Sequence, residues 1–143
     1  MIEIVNRKAN HDYFIKEKYE TGIELYGTEI KSIRKGSANF NDCYGRIKNN
    51  EVYLVNMYIA KYNEGSIYNH SETRERKLLL HKKEIIKLSE KVKILGYTLV
   101  PLNVYLKDNK AKIKLGVCKG KKVYDKRESI KEKDIERANR QNM

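Results

Sequence analysis

The sequence predicts a mainly β protein, an antiparallel β-barrel of OB type with small helices, followed by a basic C-terminal tail. Three observations predict it. Short alternating segments recur between residues 12 and 118, two pairs of them meeting at the tight-turn dipeptides Asn49-Asn50 and Asp108-Asn109. Only two stretches carry helical patterning, and both are short. The final 25 residues, Lys119 to Met143, hold nine basic and five acidic side chains and few sizeable apolar ones. That tail buries too little to offset its own ordering entropy, so it is expected disordered when free and helical only against a polyanion. Residues 1–118 are accordingly expected as the barrel domain and 119–143 as the tail.

The first extended segment runs from about Asp12 to Leu25 and carries Tyr13, Phe14, Ile15, Tyr19, Ile23 and Leu25. Gly22 interrupts it, and a glycine inside a strand suggests the bend by which a small barrel turns a corner. Residues 28–36 read as a short helix with Thr28 as N-cap, Glu29 at its positive end, Arg34 and Lys35 at its negative end and Gly36 as its left-handed stop. Ile30 and Ile33 form its apolar edge. Strands follow at Asp42–Lys48 and Glu51–Tyr62, then a polar loop over 63–76. Lys82–Lys93 is the longer helix, with Ile85, Leu88 and Val92 at i, i+3 and i+7 and Gly96 as its end. The last hairpin pairs Tyr97–Lys107 with Lys110–Cys118. Its second arm alternates Ala111, Ile113, Leu115 and Val117 with Lys112, Lys114 and Gly116, a half-buried strand with a basic outer face.

The charge pattern points to a nucleic-acid partner. The 143 residues bear a net charge of +12, and the excess is spread along the chain. The apolar fraction of 40% is enough for a core, and the mean hydropathy of −0.76 reflects a charged exterior. A field of that sign concentrates phosphate polymers around the molecule. No window approaches the roughly 18 apolar residues of a membrane span, and the N-terminus lacks the apolar core of a signal peptide. A cytoplasmic protein without membrane contact is expected. Cys43 and Cys118 stand alone, without metal-ligand spacing, so neither metal nor cofactor is indicated.

Gly116 and Gly120 ahead of Lys121-Lys122 resemble a phosphate-binding loop only superficially, since three residues separate the glycines where four are needed and no Ser or Thr follows the lysine. His11-Asp12 offers one candidate base and no partner acid, so no catalytic residue is expected; His11 suits an RNA-stacking or strand-end position better. In Arg76-Lys77-Leu78-Leu79-Leu80-His81, consecutive side chains of an extended segment point to opposite faces. Leu78 and Leu80 are then buried while Leu79 faces out among cations, where it can pack on an unstacked base. Glu20, in a basic neighbourhood, serves either as a surface ion pair or as an acceptor for base amino groups and ribose hydroxyls. Eleven tyrosines suggest stacking, although most fall at strand positions that tyrosine suits anyway.

Five segments in order resemble the SsrA-binding (SmpB) family. They are Asn6-Arg7-Lys8-Ala9 with His11-Asp12-Tyr13-Phe14-Ile15; Gly27-Thr28-Glu29-Ile30-Lys31-Ser32; Arg76 to His81; Gly96-Tyr97-Thr98-Leu99-Val100-Pro101-Leu102; and Lys119-Gly120-Lys121-Lys122 with Asp125-Lys126-Arg127. The resemblance implies an OB-type barrel that binds the tRNA-like domain of transfer-messenger RNA (tmRNA, SsrA RNA) and delivers it to stalled 70S ribosomes for trans-translation. The incomplete nascent protein is tagged there. It implies RNA contacts at Asn6, Glu20 and Leu79; His11, Arg76 and Lys77 are further RNA-binding candidates read from the residues themselves. It places Lys119, Gly120, Lys121 and Lys122 at the tail root beside the decoding centre. Tyr124 is implied to stack on a ribosomal base, and Asp125, Lys126 and Arg127 match the family's tail motif; Lys131 and Arg137, by their charge, are expected to meet rRNA phosphates in the message channel. EF-Tu and alanyl-tRNA synthetase are implied partners through the charged RNA, and the protein itself is implied not to be an enzyme. A general single-stranded-RNA-binding or ribosome-associated barrel, and a small ribonuclease using His11, are the competing readings.

Overall fold

The strands close on themselves. In the computed structural model, which describes residues 3–62 and 69–120, the elements run β1 (Glu3–Val5), α1 (Ala9–Asp12), β2 (Tyr13–Ile23), α2 (Gly27–Arg34), β3 (Ala38–Asn39), β4 (Tyr44–Lys48), β5 (Glu51–Val55), β6 (Tyr58–Ile59), β7 (Arg76–Leu79), α3 (Lys82–Leu95), β8 (Thr98–Lys107) and β9 (Lys110–Gly120). The main sheet has the order β1-β8-β4-β5-β7-β2-β9, and β9 also pairs with β8. The strands from β8 round to β9 therefore form an antiparallel ring, with β1 flanking β8. β3 and β6 form a separate pair.

Both expected hairpins are present. Asn49 (φ 52°) with Asn50 (φ 61°), and Asp108 (φ 52°) with Asn109 (φ 63°), take the left-handed conformation that a two-residue turn between right-twisted strands demands. The ring is completed by β4 and β8 at one residue pair, Gly45↔Leu99. A Cβ on Gly45 would stand 2.8 Å from the Leu99 Cβ, so only glycine lets the two strands meet.

The corner in β2 lies elsewhere than the sequence suggests. It is a bulge at Lys16, between the pairs Ile15↔Cys118 and Glu17↔Val117. Gly22 instead sits opposite Leu79, and a side chain there would press within 3.1 Å of the Leu79 Cβ. A second bulge, at Leu102, follows Pro101, whose missing N–H is tolerated beside such an irregularity.

The N-cap of α2 is Tyr26, two residues before the expected Thr28. Glu29 explains this, because its Oε1 accepts the Tyr26 backbone N–H at 2.8 Å and satisfies an otherwise orphaned donor. The Thr28 hydroxyl is used elsewhere, against His70 Nδ1 at 2.8 Å. Gly36 and Gly96 follow α2 and α3 with φ of 74° and 69°, as expected of helix stops.

Inside the ring, Val52, Leu54, Leu78, Ile113, Leu115 and Val117 are fully buried and packed with Met57, Ile59, Leu99 and Val104. Ile85 and Leu88 of α3 and Ile33 of α2 join the same core. Ala9 of α1 covers a smaller cluster with Val100 and Cys118.

Candidate nucleic-acid interface

Three of the residues singled out for RNA contact converge on the outer face of β2 and β7. Glu20, Lys77 and Leu79 line one groove of about 430 Å³ with Gly22, Lys112, His81 and Glu84. The alternation read in the sequence holds: Leu78 is fully buried, Leu80 packs on the core, and Leu79 is 48% exposed. Leu79 owes its position to Gly22, which leaves open the space its side chain crosses. Lys77 lies 3.6 Å from Glu51 in a half-exposed ion pair, an arrangement that leaves it available to a phosphate.

Glu20 stands among cations. Its carboxyl is held below the usual carboxylate range, first by a hydrogen bond from Tyr105 and then by the charges of Lys107, Lys112 and Lys114. Lys107 Nζ is 3.9 Å from its Oε1. The Tyr105 hydroxyl is in turn pushed up to about 12, by burial first and then by its bond to Glu20 and the charges of Glu20 and Glu3. The carboxylate is therefore ionised near neutral pH and presents an acceptor within a phosphate-attracting surface.

Arg76 requires a correction. Expected on the RNA surface, it is fully buried. Its Nε donates to Glu29 Oε2 at 2.5 Å, Nη1 to the carbonyls of Met57 and Arg74, and Nη2 to those of Ser71 and Glu72. All five of its donors are engaged. Glu29, also fully buried, takes two further bonds from Arg74, at 2.5 Å and 3.1 Å, beside the Tyr26 N–H. Burial pushes the Glu29 carboxyl up, but the bonds from Arg74, Tyr26 and Arg76 outweigh it and hold the group below its usual range. This network ties α2 to the strand entering β7. No sequence signal marks it, because nothing local distinguishes a buried arginine from the exposed ones around it.

Asn6 and His11 lie elsewhere, by α1. Asn6 Nδ2 donates to the Pro101 carbonyl at 2.8 Å and its backbone N–H to Leu102 at 2.8 Å, so the residue fastens the N-terminal segment to the β8 bulge. It lines a second groove, of about 350 Å³, with Lys8, Asp12, Tyr13, Asp42 and Tyr44. The His11 side chain is exposed, with Nδ1 2.9 Å from Asp12 Oδ1. β9 reaches the same end: Lys119 pairs with Phe14 and Gly120 with Tyr13. Lys119 and Gly120 are thus strand residues, and the chain leaves the barrel next to α1. Lys121, Lys122, Tyr124, Asp125, Lys126, Arg127, Lys131 and Arg137 lie outside the described residues.

Among the described residues no group of three His, Cys, Asp or Glu side chains could hold a metal ion, and no helix is long and apolar enough to cross a membrane. Several tyrosines already carry cations within the chain. The Arg74 guanidinium lies 4.2 Å from the Tyr26 ring, and Lys35 4.7 Å from that of Tyr62. Cys43 and Cys118 are buried, their thiols pushed up to about 12 and about 11 by that burial.

Comparisons with known proteins agree with the geometry. Residues 3–143 match the model of the family described as SmpB protein. The chain is 58% identical over 132 residues to the SsrA-binding proteins of Staphylococcus aureus strains Newman and USA300, covering 92% of this chain and 86% of each relative. A solved chain described under "tmRNA-SmpB: a journey to the center of the bacterial ribosome" superposes with a TM-score of 0.72 at 48% identity, over 85% of this chain and 86% of that one.

Proposed function

The chain belongs to the SmpB protein family, and on that premise we propose that it binds the tRNA-like domain of tmRNA and brings it to stalled ribosomes for trans-translation. The observation that carries this reading is the likeness to the chain of the tmRNA–SmpB structure, at 48% identity over 85% of the protein. The local chemistry supports it. The groove of Glu20, Lys77 and Leu79 joins a cation, an apolar platform and a carboxylate acceptor, the set needed for phosphate, an unstacked base and a base or ribose donor. The barrel contributes recognition and no chemical step, so the protein acts as an RNA-binding adaptor in the cytoplasm. EF-Tu and alanyl-tRNA synthetase join it through the charged RNA.

Residues 119–143 form the ribosome-directed part of this reading. Lys119 and Gly120 leave the barrel beside α1, and Lys121, Lys122, Tyr124, Asp125, Lys126, Arg127, Lys131 and Arg137 supply the decoding-centre and message-channel contacts. Two measurements test the whole. Sequencing the RNA that copurifies with the protein should return one dominant species ending in a tRNA-like acceptor arm; mixed fragments would favour a general single-strand binder. Cutting the chain after Tyr124 should leave affinity for the tRNA-like domain near normal and abolish tagging in a reconstituted translation system. Full tagging by the truncated chain would overturn the role given to the tail.

A further inference from the structure

Leu79 has a groove on either side of it. The one already described, with Glu20 and Lys77, also includes Gly22, Leu79 and Lys112, and these three line a second groove of about 300 Å³. Leu79 lies across Gly22, its Cδ1 3.2 Å from where a Cβ on that glycine would stand, and so forms a wall common to both. Past it, the second groove is bounded by Leu25 and Ile30 on the α2 side and by Asn109 and Lys110 of the β8–β9 turn.

The two grooves differ in chemistry. The first holds Glu20, Glu51 and Glu84 beside its cations. The second has the half-buried Leu25 and Ile30 facing it together with Leu79, carries Lys110 and Lys112, and has no carboxylate in its lining. Arg34 of α2 adds a cation at the edge, where its Nη2 donates to Asn109 Oδ1 at 3.4 Å. That contact engages the oxygen of the Asn109 amide and leaves the Nδ2 hydrogens without a bond among the described residues.

A ligand for such a groove must offer an apolar face, an acceptor at its edge and an anion attached close by. An unpaired nucleobase with its phosphate has all three. Continuity and charge point to the same occupant. A strand seated on Leu79 in the first groove reaches the second through residues common to both, and the cations there meet no lining carboxylate that competes with phosphate.

We propose that the second groove holds one unpaired base of the bound RNA, lying against Leu25, Ile30 and Leu79, with its edge accepting from Asn109 Nδ2 and its phosphate facing Lys110. The proposal rests on the RNA-binding function above and names a further contact site for it. Leu79 then stands between this base and the part of the strand held by Glu20 and Lys77, which keeps the base out of the stack.

The test uses Ile30→Ala, Asn109→Gly and Lys110→Gln in the full chain. Asn109→Gly removes the amide and keeps the positive φ of 63° that the turn requires. Affinities for the tRNA-like domain and for a fully paired RNA duplex of equal length are measured over a salt series. Ile30→Ala and Asn109→Gly should each weaken the tRNA-like domain roughly fivefold, the scale of one hydrogen bond or one or two methylene contacts, and leave the duplex unchanged. Neither should alter the slope of log affinity against log salt, whereas Lys110→Gln should reduce it by about 0.7–0.9, one phosphate contact. Chemical probing should show one unpaired base of the tRNA-like domain protected by the wild type and re-exposed in Ile30→Ala and Asn109→Gly. Thermal unfolding run alongside checks that Ile30→Ala is folded at the assay temperature; if it is not, the two variants of the exposed turn decide.

Unchanged affinity in the folded variants, or no base whose protection depends on them, would overturn the proposal. A groove that seats a protein segment or a second copy of the chain gives that result. A wild-type protein with no preference for the tRNA-like domain over the duplex would instead overturn the functional reading. The groove is then decided by a short unpaired oligoribonucleotide, which the wild type should protect and Asn109→Gly should not.

Discussion

Replacing Arg76 with alanine should unfold the protein far more readily without touching its RNA surface. The guanidinium is fully buried and spends its donors on Glu29 and on the carbonyls of Met57, Arg74, Ser71 and Glu72. Its removal leaves the fully buried Glu29 with Arg74 as its remaining ion-pair partner, and strips a set of carbonyls of their donors. Breaking one side of a buried ion pair costs about 3–5 kcal/mol. Arg74 stays in place at 2.5 Å from Glu29 Oε1, which favours the lower part of that range. A loss of about 3 kcal/mol corresponds to a fall in Tm of roughly 10 °C for a domain of this size.

The assay pairs thermal unfolding with RNA titration at low temperature, where the variant is still folded. The expected result is a large fall in Tm with affinity for the tRNA-like domain within about twofold of wild type. Replacing both partners, Arg76→Met with Glu29→Leu, should recover much of the loss, because neither charge is then stranded. A shift of under about 1 kcal/mol, or a selective loss of RNA binding at unchanged Tm, would refute the reasoning and return Arg76 to the surface role the sequence suggested.

Other outcomes follow from the same geometry. Leu79→Ala should scarcely alter Tm, since the side chain is half exposed, yet weaken the tRNA-like domain about tenfold, whereas Leu78→Ala should cost about 2–4 kcal/mol in denaturant unfolding. Gly45→Ala should destabilise by about 1–3 kcal/mol, because its Cβ would stand 2.8 Å from that of Leu99 where the ring closes; an unchanged midpoint in urea would show that β4 and β8 can part freely. Glu29 is held below its ordinary value in the fold, so its contribution is complete above that value and disappears as pH falls through the folded one. Acid unfolding followed by circular dichroism should therefore become shallower below about pH 4.5 in Glu29→Gln. With thiols raised to about 12 and about 11, Cys43 and Cys118 should resist a thiol reagent at pH 8 in the native protein and react promptly once it is unfolded in urea.

What the sequence by itself determined is local. Asn49-Asn50 and Asp108-Asn109 prescribe two hairpins because each residue tolerates a positive φ, and Gly96 ends α3 for the same reason. The two-residue period of a strand puts Leu78 inside and Leu79 outside whatever the rest of the fold does, and it lays Lys112 and Lys114 on one face. The five ordered motifs identified the family before any coordinates were needed. The tertiary structure decided everything that depends on partners far apart in the chain. It moved the corner of β2 from Gly22 to Lys16 and gave Gly22 to Leu79. It sank Arg76 onto Glu29, 47 positions away, although the surrounding arginines and lysines look alike in sequence. It also brought Lys107 of β8 to 3.9 Å from Glu20 of β2, across β9, through two strand registers that no local pattern encodes. Backbone preference and side-chain period act over a few residues, so they can be read directly. Which charge is buried depends on the desolvation of groups brought together only when the barrel closes.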